Sequence, residues 1–266
     1  MSIRVAENAG KFYPATKREI EELINIFNSA LDSKADIKDK LSLKPRAIIS
    51  PHAGYIYSGF GANFAHRVLA NSKVKRVVVI GPSHHVYFKG ISGSNFEYYQ
   101  TPIKNLKVDL DYLKVISTDF NIGFVPKAHQ LEHSTETQMP FIAHYQGDVE
   151  VIELIYGDVD YSYLSKLITW LLEDSLTSVV ISTDLSHFHT LDKANLLDAI
   201  CIQGIKKKSI PLLDTGCEAC GIVGVKAITK SSIELNLEPL ILDYRTSADI
   251  TEDKSNVVGY LSAVYI

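Results

Sequence analysis

The chain has 266 residues, 46% of them hydrophobic and 22% charged, with a formal net charge of -4. This is the balance of an ordinary soluble globular protein with room for a large core, and with no basic stripe it carries no electrostatic footprint for nucleic acid. No apolar run approaches the roughly 18 residues of a membrane span, and Met1-Ser2-Ile3-Arg4-Val5-Ala6-Glu7-Asn8 lacks the apolar stretch of about seven residues that a signal sequence needs, so no membrane partner and a cytoplasmic location are expected.

No repeat, low-complexity tract or long Pro/Gly/Ser linker divides the chain, which predicts one compact domain over 1–266. Ile20, Leu23, Ile24, Phe27 and Leu31 recur at helical spacing behind Thr16 and Glu19, a pair with the form of a capping box, so a helix is predicted over 17–32. Arg46-Ala47-Ile48-Ile49 reads as a buried strand running into Ser50-Pro51-His52-Ala53-Gly54-Tyr55, with a helix over 59–70 behind it. Arg76-Val77-Val78-Val79-Ile80 is a second buried strand, running into Gly81-Pro82-Ser83-His84-His85 and then into an irregular stretch through Gly90-Ile91-Ser92-Gly93. Further helices are predicted over 109–118, 135–145, 161–173, 191–207 and 220–230, and further strands over 149–155, 178–182, 239–244 and 257–264. The alternation implies βαβ units and an α/β fold with a central, mainly parallel sheet covered by helices on both faces, the last strand being able to pair antiparallel.

Two successive strands thus end in imidazoles, at the edge where open α/β sheets bind ligands. A third strand, Val179-Val180-Ile181, runs into Ser182-Thr183-Asp184-Leu185-Ser186-His187-Phe188-His189, and Glu132-His133-Ser134-Thr135-Glu136 opens a helix. A single histidine after a strand can simply bond a neighbouring carbonyl, but three such strand ends point to a shared polar site. Ser134 can equally be a helix N-cap, with acidic neighbours favoured by the helix dipole. Three cysteines, Cys201, Cys217 and Cys220, are too few and too odd in number for a disulfide framework, so metal or redox chemistry is expected of them rather than cross-linking. Cys217-Glu218-Ala219-Cys220 can be read as a redox dithiol, as small buried apolar residues, or as one thiolate joining two histidines on a metal.

Taken together, Ala9-Gly10-x-Phe12-Tyr13-Pro14, Pro51-His52-Ala53-Gly54-Tyr55, Gly81-Pro82-Ser83-His84-His85, Glu132-His133-Ser134-x-Glu136, Ser182-Thr183-Asp184-Leu185-Ser186-His187 and Val257-Val258-Gly259-Tyr260 resemble, in order and spacing, the Memo family. Its prokaryotic members are also called AmmeMemoRadiSam system protein B, and the resemblance runs from about residue 6 to the C-terminus. It implies a single domain similar in fold to class III non-haem iron extradiol dioxygenases. It further implies that His52, His84 and Cys220 bind a metal, that Asp184 and His187 beside them act as orienting group and acid/base, and that Glu132, His133, His85 and Tyr55 face a substrate. A thiolate standing where those dioxygenases have a carboxylate shifts the preference toward copper or zinc while leaving iron open. The resulting expectation is a metal-dependent redox enzyme acting on a small molecule, the alternative being a non-catalytic adaptor that binds metal or peptide. The family name implies an AMMECR-type protein and a radical-SAM enzyme as partners. Convergence of the three donor atoms to about 3–4 Å is expected, with Cys217 and Cys220 unpaired with each other.

Overall fold

Val77, Val78, Val79 and Ile80 are all fully buried, as a strand covered on both faces requires. In the computed structural model, which describes residues 2–266, they lie in the middle of a sheet of eight strands. These are β1 (Ala47–Ser50), β2 (Arg76–Pro82), β3 (Ile91–Gly93), β4 (Glu150–Tyr156), β5 (Thr177–Ser182), β6 (His187–His189), β7 (Pro239–Thr246) and β8 (Val257–Tyr265). The order is β7-β8-β1-β5-β2-β4-β3, with β6 pairing β8. β1, β5, β2 and β4 are parallel to one another, while β8, β7 and β3 run antiparallel to their neighbours. The sheet is therefore mixed, with a parallel centre and antiparallel margins. β3 lies within the stretch expected to be irregular.

The main helices are α1 (Lys17–Asp32), α2 (Tyr55–Leu69), α3 (Leu110–Asp119), α4 (His133–Glu136), α5 (Met139–Tyr145), α6 (Tyr161–Glu173), α7 (Leu191–Lys206) and α8 (Ile222–Glu234). Strand alternation sorts them into two layers. Ile48, Val77, Val79 and Val180 pack with Phe64, Val68, Met139 and Ile142 of α2 and α5. Ile49, Val78, Ile80 and Ile181 pack with Leu164, Leu167, Val225 and Ile228 of α6 and α8. The helix expected over 135–145 is broken in two, because Pro140 lacks the N–H that a continuous helix needs and sits instead in the first turn of α5. No helix among the described residues is long and apolar enough to cross a membrane.

Two fully buried polar networks lie beside the sheet. Glu136 accepts hydrogen bonds from Arg4 Nη1 (2.7 Å), Asn8 N (2.7 Å), Asn8 Nδ2 (3.0 Å) and the Tyr13 hydroxyl (2.7 Å), so one carboxylate clamps the whole N-terminal segment. In the other, Ser92 Oγ lies 2.8 Å from His129 Nε2, and His129 Nδ1 lies 2.7 Å from Glu153 Oε2. That is the bonding order of a hydrolytic triad, but all three residues are sealed from solvent and Ser92 Oγ also accepts from Val125 N, so it ties β3 to β4 and offers no face to a substrate.

His66 on α2 has no exposed surface and stacks on Phe141 at 5.4 Å. Burial pushes its imidazole from 6.5 down to about 4, only partly offset by its bond to Gln138. The unfolded chain takes up this proton below about pH 6.5 while the folded chain resists it until about 4, so the contribution to stability is complete above 6.5 and is lost as pH falls. Wild-type protein should therefore lose about 3 kcal/mol more than His66→Gln across that interval in urea denaturation. Parallel pH profiles for the two proteins would contradict this.

Candidate metal centre

Because β5 lies between β1 and β2, the loops bearing His52, Ser182 to Asp184, and His84 leave the sheet side by side. Cys220 joins them from the turn immediately before α8. Its loop can seat there because residue 221 is glycine: a Cβ at that position would come within 2.7 Å of Thr183, and Gly221 N donates to Thr183 Oγ1 at 2.9 Å. Gly81 plays the same part on β2, where a Cβ would meet Ser134 Oγ at 2.6 Å.

The seating brings Cys220 Sγ to 3.3 Å from His52 Nε2, and one donor atom each of His52, His84 and Cys220 lies within 4.8 Å of the other two. One pair already meets the 3–4 Å of a closed shell. His52 is buried, Cys220 is half-buried and His84 is exposed, so the cluster opens to solvent on the His84 side. Glu132 fixes His84 from behind, accepting from its backbone N at 2.6 Å and from Nδ1 at 2.8 Å, which leaves Nε2 for the cluster. Ser182 Oγ lies 3.0 Å from His52 Nδ1, and Asp184 Oδ1 accepts from His52 N at 2.8 Å.

The electrostatics follow from this packing. Burial raises the Cys220 thiol, but the charge and hydrogen bonds of His52, with His84 adding another, outweigh it and bring it down to about 6, so the thiolate that ligates metals is present at neutral pH. Burial lowers His84, yet its bonds to Cys220 and Glu132 lift it to about 10, while Glu132, despite burial, is held at about 2 by His84 and two backbone N–H groups. Burial raises Asp184 to about 6 against the N–H groups of His52 and Ala53 and the charge of His187. Burial, then the charges of His52 and His84, push His133 down to about 3.

His133 stacks on His84 (4.6 Å) and on Phe12 (4.5 Å), with the His85 ring 5.9 Å away, so three of the four expected substrate-facing residues, Glu132, His133 and His85, belong to the cluster. Tyr55 does not. Its hydroxyl donates to Thr137 O at 2.7 Å and its ring stacks on Phe141 at 4.5 Å in the core beneath α1, because Tyr55 is the first residue of α2 and faces inward there. Half-buried His187 lies near enough to Asp184 for its charge to favour the carboxylate, and its Nδ1 donates to Leu185 O at 2.8 Å. His84, Glu132 and His133 also form a close donor set, but both Glu132 oxygens already accept hydrogen bonds, so this carboxylate orients the first set.

A model of the Memo-like protein family matches residues 4–264. The sequence is 28% identical to a MEMO1 family protein of Aquifex aeolicus, covering 100% of each chain, and 29% identical to one of Methanobrevibacter smithii, covering 97% of each. One from Nitrosopumilus maritimus is 27% identical over 99% of this chain and 100% of its own. This chain belongs to the Memo family.

Sequence reasoning about this Memo protein misses three things. Phe12 walls the cluster although it lies 121 positions before the ring it stacks on, His133. Ser182 and Gln138 stand behind His52, and nothing in the periodicity marks them. The third is a correction: Cys201 and Cys217 form a disulfide with Cα atoms 4.7 Å apart, so two of the three cysteines do cross-link. Cys201 lies on the buried face of α7, against which the loop leading to Cys220 folds back, a proximity that spacing alone does not reveal. Cys217 is therefore not paired with Cys220, which is free. With 16 positions between its ends, the cross-link should contribute about 3 kcal/mol. A Cys201→Ala, Cys217→Ala variant should show that loss in urea denaturation, and a loss under about 1 kcal/mol would count against it.

Proposed function

We propose that this Memo protein is a metal-dependent redox enzyme in which His52, His84 and Cys220 hold one ion. The observation that supports it most is the convergence, from three separate segments, of two imidazoles and a thiol shifted toward its thiolate within 4.8 Å of one another. Three protein donors leave coordination positions open, as a catalytic site needs. Thiolate with imidazole suits copper or zinc, and iron also accepts imidazole. When bound, the ion would supply Lewis acidity and, as iron or copper, electron transfer toward a small organic molecule and oxygen, the chemistry that kinship with class III extradiol dioxygenases would imply.

The chain's own groups complete the reading. Asp184 holds the His52 loop through Oδ1 and, with its carboxyl near 6, can hold or release a proton at Oδ2, 4.0 Å from His52 Nε2. His187 acts as acid/base beside it. His133, kept neutral, lines the substrate side with His85 and Glu132. The same reading takes an AMMECR-type protein and a radical-SAM enzyme as cytoplasmic partners.

The test is metal analysis of protein purified without tag or chelator, followed by oxygen uptake with iron, copper or zinc and a panel of catechols plus a reductant. His84→Ala should lose both ion and uptake, while His187→Ala and Asp184→Asn should keep the ion and lose most uptake. A bound ion without uptake under any condition would replace the enzyme with a metal-binding adaptor.

A further inference from the structure

An imidazole can offer a metal either ring nitrogen, and which one is free depends on the proton at the other. At His52 that choice is made by atoms that never reach the cluster. Gln138, fully buried, donates from Nε2 to Pro51 O at 2.9 Å and to Ser182 Oγ at 2.9 Å. Its amide cannot be turned over, because Oε1 would then face the Pro51 carbonyl oxygen, two acceptors in contact. Oε1 instead receives the Nε2–H of His66 at 2.8 Å. Ser182 Oγ thus accepts one hydrogen bond from Gln138 and donates its own proton to Ser134 O, which can only accept. What remains on Oγ is a lone pair, and it faces His52 Nδ1 at 3.0 Å.

We propose that Ser182, which does not touch the ion, dictates which nitrogen of His52 binds it, with Gln138 and His66 holding Ser182 in place. With the ion in place, His52 Nδ1 must carry the proton to satisfy that lone pair, so the lone pair left for the ion sits on Nε2, the nitrogen 3.3 Å from Cys220 Sγ. The opposite tautomer would set two lone pairs against each other at Ser182 and turn an N–H toward the ion. Ser182, Gln138 and His66 are therefore positioning residues, and the inference rests on His52 being a metal ligand.

The test reads the tautomer and the affinity separately. Two-bond ¹H–¹⁵N correlation spectra of zinc-loaded protein labelled at histidine nitrogen should show His52 protonated at Nδ1 and bound to the ion through Nε2. A proton on Nε2 in the wild type overturns the inference whether or not any variant folds. Zinc titration of Ser182→Ala should show affinity about 10- to 100-fold weaker, the range of a partner behind a ligand, with His52 distributed over both tautomers, and Ser182→Thr should restore both. Ser182→Ala binding zinc as tightly as wild type, with an unchanged His52 spectrum, also overturns it. If wild-type protein binds no zinc, copper or iron, the metal reading fails, whereas zinc held by His52 through Nδ1 overturns this inference alone.

Discussion

Replacing Glu136 with alanine is expected to destabilise the protein by about 3–5 kcal/mol, the range for breaking a buried ion pair from one side. Glu136 has no exposed surface and Arg4 is 2% exposed, so the guanidinium would be left charged and out of reach of water. Asn8 and the Tyr13 hydroxyl would lose their acceptor in the same step. Urea denaturation gives the magnitude, and a loss below about 1 kcal/mol would mean that the N-terminal segment peels away and rehydrates at little expense. The segment also delivers Phe12 to the stack on His133, so Glu136→Ala should disturb the cluster without removing any donor from it.

Cys220→Ala should weaken metal binding by more than 100-fold, beyond the roughly 10- to 100-fold expected for Glu132→Gln. Losing the thiolate removes the one anionic donor and leaves two imidazoles on an open face, whereas losing the Glu132 charge leaves all three donors in place with His84 less firmly aimed. Competition titration with a chromogenic chelator separates the two. Equal losses would make Glu132 a ligand in its own right, and a small loss for Cys220→Ala would remove sulfur from the donor set.

How much of this is legible in sequence depends on the kind of interaction. Helix α6 falls where it is expected because Leu164, Leu167, Ile168 and Leu171 keep a helical period on one buried face. The central strands are legible because a run such as Val77 to Ile80 has no polar face to show to water. The antiparallel margins are less so, since a strand's direction depends on which edge it finds. Histidines at strand ends reveal that a site exists. They do not reveal that Tyr55, two residues beyond Ala53, turns into the core, because the first turn of α2 sets that direction. Ser182, Gln138 and the Cys201–Cys217 pair are illegible for a common reason: each acts through a single neighbour far along the chain, and hydroxyls, amides and thiols carry no periodic mark.

Cys220 follows His52 by 168 residues, and β1 obtains its two neighbours only from residues 177–182 and 257–265. At synthesis rates of about 5–20 residues per second, the imidazole-bearing segments leave the ribosome many seconds before the strand that completes their sheet. A growing chain can expose His52 and His84 to passing ions, but it cannot hold the thiolate against them. The donor set comes into being only once residues 177–182 and 257–265 have joined the sheet, so an ion that needs all three donors would meet an assembled sheet, with His84 as its exposed side.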